Sequence, residues 1–246
     1  MRQPLLRLDD VTKRFGGLIA NSEVSFEVEA GEIVSLIGPN GAGKTTLFSC
    51  ISGFYRPEGG RIWLQGTDVT GLGPEVLAHR GLVRTFQLVR VFKEMTTREN
   101  VMVGAFLHGR DRRETERLAA SVLELTGLSA CADALARNLT TAQRKRLELA
   151  RALATKPKLL LLDEVMSGLT AFEMHEAVAL LRQLNQQGIT LLLVEHIMEV
   201  IMPISNRIVV LDHGIKIAEG PPSEIARNPA VIRAYLGEKY ISTARS

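Results

Sequence analysis

The most informative stretch of the chain is Gly38-Pro39-Asn40-Gly41-Ala42-Gly43-Lys44-Thr45-Thr46, which carries the spacing G-x-x-x-x-G-K-T. It lies between the apolar run Ile33 to Ile37 and a helix-like run that begins at Thr45. Glycines at 38, 41 and 43 let the backbone turn tightly with its N–H groups facing inward. Those groups and the positive end of the following helix can then surround a polyphosphate. Lys44 supplies a point charge near the β- and γ-phosphates, and the Thr45 hydroxyl is placed to ligate Mg²⁺. A plain glycine-rich turn shares the composition, but here the whole pattern sits in the strand–loop–helix context that a phosphate loop requires. The expected ligand is a nucleoside triphosphate held by Gly38, Asn40, Gly41, Gly43, Lys44, Thr45 and Thr46.

Three further polar features follow apolar, strand-like runs: Gln87 after Phe86, Asp163-Glu164 after Leu162, and His196 after Val194. In open parallel α/β sheets, ligands bind outside the carboxyl ends of the strands. Asp163 is the expected carboxylate for Mg²⁺, directly or through water. Glu164, one residue on, can face the γ-phosphate as a general base or as the group that orients water. His196 can donate to the γ-phosphate or to the attacking water. Gln87 can sense the metal and the water from the sheet side. Taken alone, an acidic pair after a strand is often a helix cap and a lone histidine is often a surface residue. The order of all four features along the chain favours the functional reading.

The elements that must hold these groups are legible in part. Leu5 to Val11 and Glu23 to Val28 alternate apolar and polar, which predicts antiparallel strands with one wet face. Between them, the aromatic of Phe15-Gly16-Gly17 either stacks on an adenine ring or serves as a core or turn residue. The helix after the phosphate loop is expected to close at Gly53. Gly59 to Gly66 predicts an edge strand, with Trp63 a packing residue, and Leu82 to Phe86 another strand. From Leu88 to about Ala154 no strand-like run occurs: Thr97 is a candidate helix cap, and 110–128 is amphipathic. Continuous apolar runs at Leu159–Leu162 and Ile189–Val194 predict parallel strands buried on both faces. A helix over about 171–187 separates them, and a hairpin turns at Asp212-His213-Gly214 before Pro221-Pro222 and a helical tail to about Tyr240.

These elements predict one domain over 1–246. Within it, 1–87 and 155–220 form a nucleotide-binding α/β core with an antiparallel β subdomain, 88–154 a helical subdomain, and 221–246 a helical tail. A chain 46% hydrophobic and 23% charged can bury a sizeable core. The net charge of +3 suits an anionic ligand or a membrane surface, yet no long basic run with interleaved aromatics supports nucleic-acid binding. Cys50 and Cys131, in mostly apolar surroundings, predict neither a disulfide framework nor a metal cluster. No apolar run approaches the roughly 20 residues that span a bilayer, so work at a membrane requires another chain to supply the span.

At these residues the chain resembles the ATP-binding-cassette (ABC) ATPases over nearly its whole length. Phe15 falls where that family stacks adenine, Gly38 to Thr46 on its phosphate loop, Gln87 on its glutamine loop, Asp163-Glu164 on its strand-end pair and His196 on its switch histidine. Leu139-Thr140-Thr141-Ala142-Gln143 falls where the family carries its signature loop, usually LSGGQ. Arg14 to Leu18, Val165 to Leu169 and Val231 to Gly237 look most like ATP-binding subunits of branched-chain amino-acid importers. The resemblance implies a P-loop NTPase fold of parallel sheet, antiparallel β edge subdomain and inserted helices. It also implies an ATPase using ATP and Mg²⁺ as a peripheral subunit at the cytoplasmic face of the inner membrane. Its implied partners are permease chains, a second ABC ATPase and, indirectly, a solute-binding protein.

Two departures stand out. Thr140 and Ala142 replace the signature serine and the glycine before Gln143 that meet the γ-phosphate on the opposite protomer. Thr170 stands where the loop after the strand-end pair usually ends in Asp. They leave open a nucleotide-gated or weakly hydrolysing subunit, and the ATPase of another permease, such as one for lipid or polysaccharide, shares most of these residues. A soluble ABC protein of repair or translation lacks its second cassette here, and a GTPase lacks its N-K-x-D motif.

Overall fold

The computed structural model describes residues 3–85, 91–109 and 111–236. Two antiparallel strands come first, β1 (Leu6–Phe15) and β2 (Leu18–Val28), both longer than the alternation predicts. The register shifts between Leu8 and Val11 and again between Val11 and Lys13, with Asp10 and Glu23 each at a φ of 49°. Bulges break the period-two pattern, so the alternation fades in the sequence while pairing continues to Phe15. β3 (Ile33–Ile37) leads into the phosphate loop and α1 (Lys44–Ile51), and Gly53 follows the helix at a φ of 77°, as expected.

β4 (Gly59–Leu64) pairs with β1, and with the two-residue β5 (Thr67–Asp68) it completes a four-stranded sheet of order β2-β1-β4-β5. Trp63 is indeed a packing residue: its Nε1 donates to Asp9 Oδ2 at 2.8 Å, with the Arg7 and Arg61 guanidiniums against its ring. α2 (Pro74–His79) and β6 (Leu82–Arg84) follow. The helical stretch then comprises α3 (Thr97–Ala105), α4 (Arg112–Leu125) and α5 (Thr141–Ala154). The cap of α3 is Thr96, one residue before the expected Thr97. Its hydroxyl accepts from the Glu99 N–H at 3.1 Å while Glu99 accepts from the Thr96 N–H at 2.7 Å. That reciprocal pair needs a glutamate three positions after the cap, and Glu99 stands there for Thr96. Thr97 instead is buried, with its hydroxyl on the Ala134 carbonyl.

The remaining elements are β7 (Leu159–Asp163), α6 (Ala171–Gln186), β8 (Thr190–Val194), α7 (Met198–Ile204), β9 (Arg207–Asp212), β10 (Ile215–Gly220), α8 (Pro222–Ile225) and α9 (Pro229–Leu236). The expected hairpin turns through His213 and Gly214, both at positive φ. The second sheet runs β10-β9-β3-β8-β7-β6, parallel from β9 to β6. Every residue of β3, β7 and β8 is buried. Their side chains alternate between two cores. Leu159, Leu161, Leu192 and Val194 meet the antiparallel sheet and α1 on one side, and Leu160, Leu162, Leu191 and Leu193 meet the helices α3 to α6 on the other. Burial on both faces is why these strands read as unbroken apolar runs.

Cys50 lies in the first of these cores at 2% exposure, and burial pushes its thiol up to about 12. The thiolate is the reactive form. Native protein treated with an alkylating reagent near pH 7 should therefore take at most one adduct, on the half-exposed Cys131. Peptide mass spectrometry reads this, and rapid modification of Cys50 would show that α1 is not packed as described.

Candidate functional site

Parallel register decides which chain ends meet. Leu36 of β3 pairs with Val194 of β8, and Val194 pairs in turn with Asp163 of β7. Arg84 of β6 pairs with Leu161 on the outer side of β7. The phosphate loop, Asp163-Glu164 and Glu195-His196 therefore leave the sheet from three adjacent strands at one edge. Gln87 lies outside the described residues. β6 nonetheless points its chain toward this edge, since the Thr85 N–H continues the ladder onto the Leu161 carbonyl at 2.9 Å.

The phosphate loop is tight on its inner side. Gly38 has a φ of 152°, and a Cβ there would stand 2.1 Å from the Leu211 carbonyl oxygen; one on Gly43, at a φ of 94°, would stand 2.3 Å from that of Ala20. Only glycine permits both conformation and approach. The Asn21 amide of β2 donates to the Gly43 carbonyl at 3.2 Å, which ties the antiparallel sheet to the loop. Lys44 curls back, its ammonium donating to the carbonyls of Gly38 (2.6 Å) and Pro39 (2.9 Å). Burial lowers its pKa, and the nearby Glu164 and Asp163 oppose that shift. On the outer side Asn40, Gly41 and Thr45 are exposed and Thr46 is half-buried. A loop closed toward the sheet and open toward solvent, ending on a helix N-terminus, suits a polyphosphate.

Asp163 is 2% exposed, and its Oδ2 accepts from Arg84 Nη2 at 2.6 Å. Arg84 also reaches the hydroxyls of Ser49 (3.0 Å) and Ser52 (3.2 Å) on and just beyond α1. One guanidinium thus joins β6, β7 and α1 behind the phosphate loop. Sequence reasoning missed it; the signal was a lone arginine in the strand-like run Leu82 to Phe86. The oxygen-only set of Thr45 hydroxyl and Asp163 carboxylate, beside a place for phosphates, fits Mg²⁺, which prefers hard oxygens and few protein ligands.

Glu164 adopts a φ of 49°, a conformation that costs a non-glycine residue free energy and is held here by its surroundings. Its N–H donates to the Val194 carbonyl at 2.9 Å, so the acidic pair is anchored to the strand that ends in Glu195-His196. His196 is exposed at that edge, whereas Glu195 is 1% exposed, with Oε1 accepting from the Met166 N–H at 2.9 Å. Burial pushes the Glu195 carboxyl up, against the Met166 hydrogen bond.

The residues of the two departures are helix caps. The Thr140 hydroxyl accepts from the Gln143 N–H at 3.2 Å, and Gln143 Oε1 accepts from the Thr140 N–H at 2.9 Å. Thr170 forms the same reciprocal pair with Glu173 at the start of α6. Phe15 ends β1 as a residue 43% exposed, its ring edge-on to Tyr55 at 5.3 Å and with the Lys13 ammonium 5.1 Å from its centroid. That exposure removes the core alternative for Phe15. The Tyr235 phenol of α9 is raised by burial, opposed by the backbone of Gly38, which brings the C-terminal helix to the phosphate loop.

Replacing Arg84 by methionine leaves the Asp163 carboxylate buried without its cation. Such a loss costs about 3–5 kcal/mol. Urea unfolding should register a drop of that size, much of it recovered in the double variant with Asp163→Asn; a loss under about 1 kcal/mol would show that the pair does not hold β6 and β7 together.

Comparison with known proteins agrees with the geometry. Residues 21–167 match the ABC transporter family model, and residues 216–241 match a model described as branched-chain amino acid ATP-binding cassette transporter. The high-affinity branched-chain amino acid transport ATP-binding protein BraF of Pseudomonas aeruginosa is 44% identical, over 97% of this chain and 100% of its own. Its counterpart LivG of Escherichia coli is 45% identical over the same shares. Among solved structures, a nucleotide-free ATP-binding cassette from an ABC transporter superposes with a TM-score of 0.87 at 32% identity, covering 96% of this chain and 100% of that one. A dimeric post-hydrolysis ATP-binding cassette bound to ADP and phosphate gives 0.80 at 26% identity, covering 88% and 98%. With a phosphate loop, an acidic strand end and a histidine converging on one sheet edge, the chain belongs to the ABC transporter family, as an ATP-binding subunit.

Proposed function

We propose that this chain is the ATP-hydrolysing subunit of an importer for branched-chain or related amino acids. It works at the cytoplasmic face of the cell membrane with permease chains and a second ATP-binding subunit, and a solute-binding protein delivers the cargo to the permease. The observation that carries the reading is the exit of Gly38–Thr46, Asp163-Glu164 and His196 from adjacent parallel strands. The cargo class rests on the relatives' names and on the match over 216–241. No helix among the described residues is long and apolar enough to cross a membrane, so the proposal assigns the span to the permease chains.

In this reading the N–H groups from Gly38 to Thr46, with Asn40 at the rim, cradle the phosphates of ATP, and Lys44 leaves its own loop carbonyls to meet them. The exposed Phe15 ring stacks on adenine. Thr45 and Asp163 would hold Mg²⁺, Gln87 is assigned to the same metal and water by its place in the sequence, and the ion would offset the negative charge on the phosphates. Glu164, aimed by its left-handed backbone, orients the attacking water and accepts its proton, while His196 donates to the γ-phosphate. Thr140 and Gln143 face the nucleotide on the second subunit, and the capping pair between them presents the start of α5 for that contact. The core over 1–87 and 155–220 carries the site, the helical part over 88–154 carries the signature, and the tail over 221–246 begins with α8 and α9, of which α9 brings Tyr235 to Gly38.

The assembled complex in lipid vesicles provides the test. Glu164→Gln should bind ATP with near-parent affinity while hydrolysis and amino-acid uptake fall by about 10²-fold or more. Undiminished turnover and uptake would remove Glu164 from the chemistry, and uptake of an unrelated solute in place of leucine, isoleucine or valine would correct the cargo.

A further inference from the structure

The turn after Glu164, over 165–168, is held from two sides by groups outside the hydrolytic set. On the sheet side, Glu195 Oε1 accepts the Met166 N–H at 2.9 Å; Glu195 is 1% exposed and its Oε2 has no hydrogen-bond partner among the described residues. On the helical side, the Lys145 ammonium of α5 donates to the Val165 carbonyl at 3.2 Å and also to that of Ser167. Within the turn, the Ser167 N–H returns to the Glu164 carbonyl at 3.2 Å. Consecutive backbone groups from 164 to 167 are therefore bound to β8, to α5 and to each other.

On the helical side the turn is held by packing and by hydrogen bonds together: Met166 is 1% exposed in the core shared with α5 and α6, and Val165 and Leu169 pack against that core. A cavity of about 380 Å³ separates α5 from α6 beside this turn, lined among others by Lys145, Leu149, Glu164, Val165, Leu169 and Leu180. Beside the cavity the side chains have fewer neighbours, so directional hydrogen bonds add to dispersion in placing the backbone. Lys145 supplies them across the rim of the cavity. Glu195 supplies the other, in a place where a carboxylate is costly to bury and an apolar side chain would pack as well. Each residue therefore bonds the turn directly, Glu195 from the sheet side and Lys145 from the helical side.

The geometry points to Glu195 and Lys145 as positioning residues that fix the left-handed backbone of Glu164 and couple it to the signature helix. Because Thr140 caps α5, the segment lent to the second subunit's nucleotide moves as one body with Lys145. Lys145 thereby passes that movement to this chain's own Glu164. The inference rests on the hydrolytic role proposed for Glu164. Misplacing a reacting group by about 1 Å costs on the order of 10²-fold in rate, so loss of either hold should act on turnover and leave binding alone.

The test uses the assembled complex, comparing Glu195→Leu, Glu195→Gln and Lys145→Met with the parent and with Glu164→Gln. Glu195→Gln keeps a carbonyl for the Met166 N–H and should stay within about threefold of the parent, whereas Glu195→Leu and Lys145→Met should each lose about tenfold or more in kcat. The affinity for a fluorescent ATP analogue and the yield of assembled complex should not change. Parent-like kcat in Lys145→Met, or equal loss in Glu195→Gln and Glu195→Leu, overturns the inference. So does loss of nucleotide binding in step with turnover. If Glu195→Leu fails to assemble, Lys145→Met and Glu195→Gln decide alone. A fall in Glu164→Gln with parent-like Lys145→Met sinks the positioning role only; parent-like Glu164→Gln sinks the hydrolytic reading itself.

Discussion

The structure depends on the in-register parallel pairing of β3, β8 and β7. Leu36, Val194 and Asp163 lie in one row across three strands, so the next residues of each chain emerge together. Such a sheet has no short connections: each parallel crossover must go over a face, and α1 with the antiparallel sheet covers one face while α3 to α6 cover the other. The alternation of Leu159 to Leu162 and Leu191 to Val194 between two cores is the direct result. Those apolar side chains, each contributing about 1.5–3 kcal/mol on burial, hold the register, and the register holds the polar ends where a triphosphate would sit.

Polar groups behind that edge are few and each joins elements that packing alone would leave independent. Arg84 connects β6, β7 and α1 through Asp163, Ser49 and Ser52. Asn21 connects the antiparallel sheet to Gly43, and the Glu164 N–H connects β7's end to β8. A buried charge pair contributes little net stability, since desolvation offsets most of the attraction, but it penalises every arrangement in which the partners separate. Here that penalty keeps Asp163 beside the phosphate loop.

The same chemistry gives the two unusual threonines a structural account. Thr140 and Thr170 each close a reciprocal cap at a helix start, with Gln143 and Glu173 as partners. A serine or aspartate would cap as well, since all three belong to the favoured set. The departures from the family pattern therefore keep the fold of these turns intact. In the proposed assembly their consequence would lie in what the side chains present to a second subunit, where Ala142 adds a methyl group.

How much was legible in the sequence followed from how local the cause is. The phosphate loop, the helix beginning there, the buried strands and the His213-Gly214 turn rest on spacing over a few residues, and the structure has them. The extension of β1 and β2 was not visible because bulges at Asp10 and Glu23 reset the alternation. The cap of α3 shifted by one residue because both Thr96 and Thr97 are suitable types, and only the position of Glu99 selects between them. Arg84, Glu195 and Lys145 were invisible as site residues: Arg84 reaches partners 32, 35 and 79 residues away in sequence, Glu195 one 29 away and Lys145 ones 20 and 22 away. The sequence by itself determined what chemistry is present, because residue type and short-range spacing set ligand preference. Which groups stand together was decided by tertiary structure alone, because parallel register and buried hydrogen bonds join strands that the chain visits far apart.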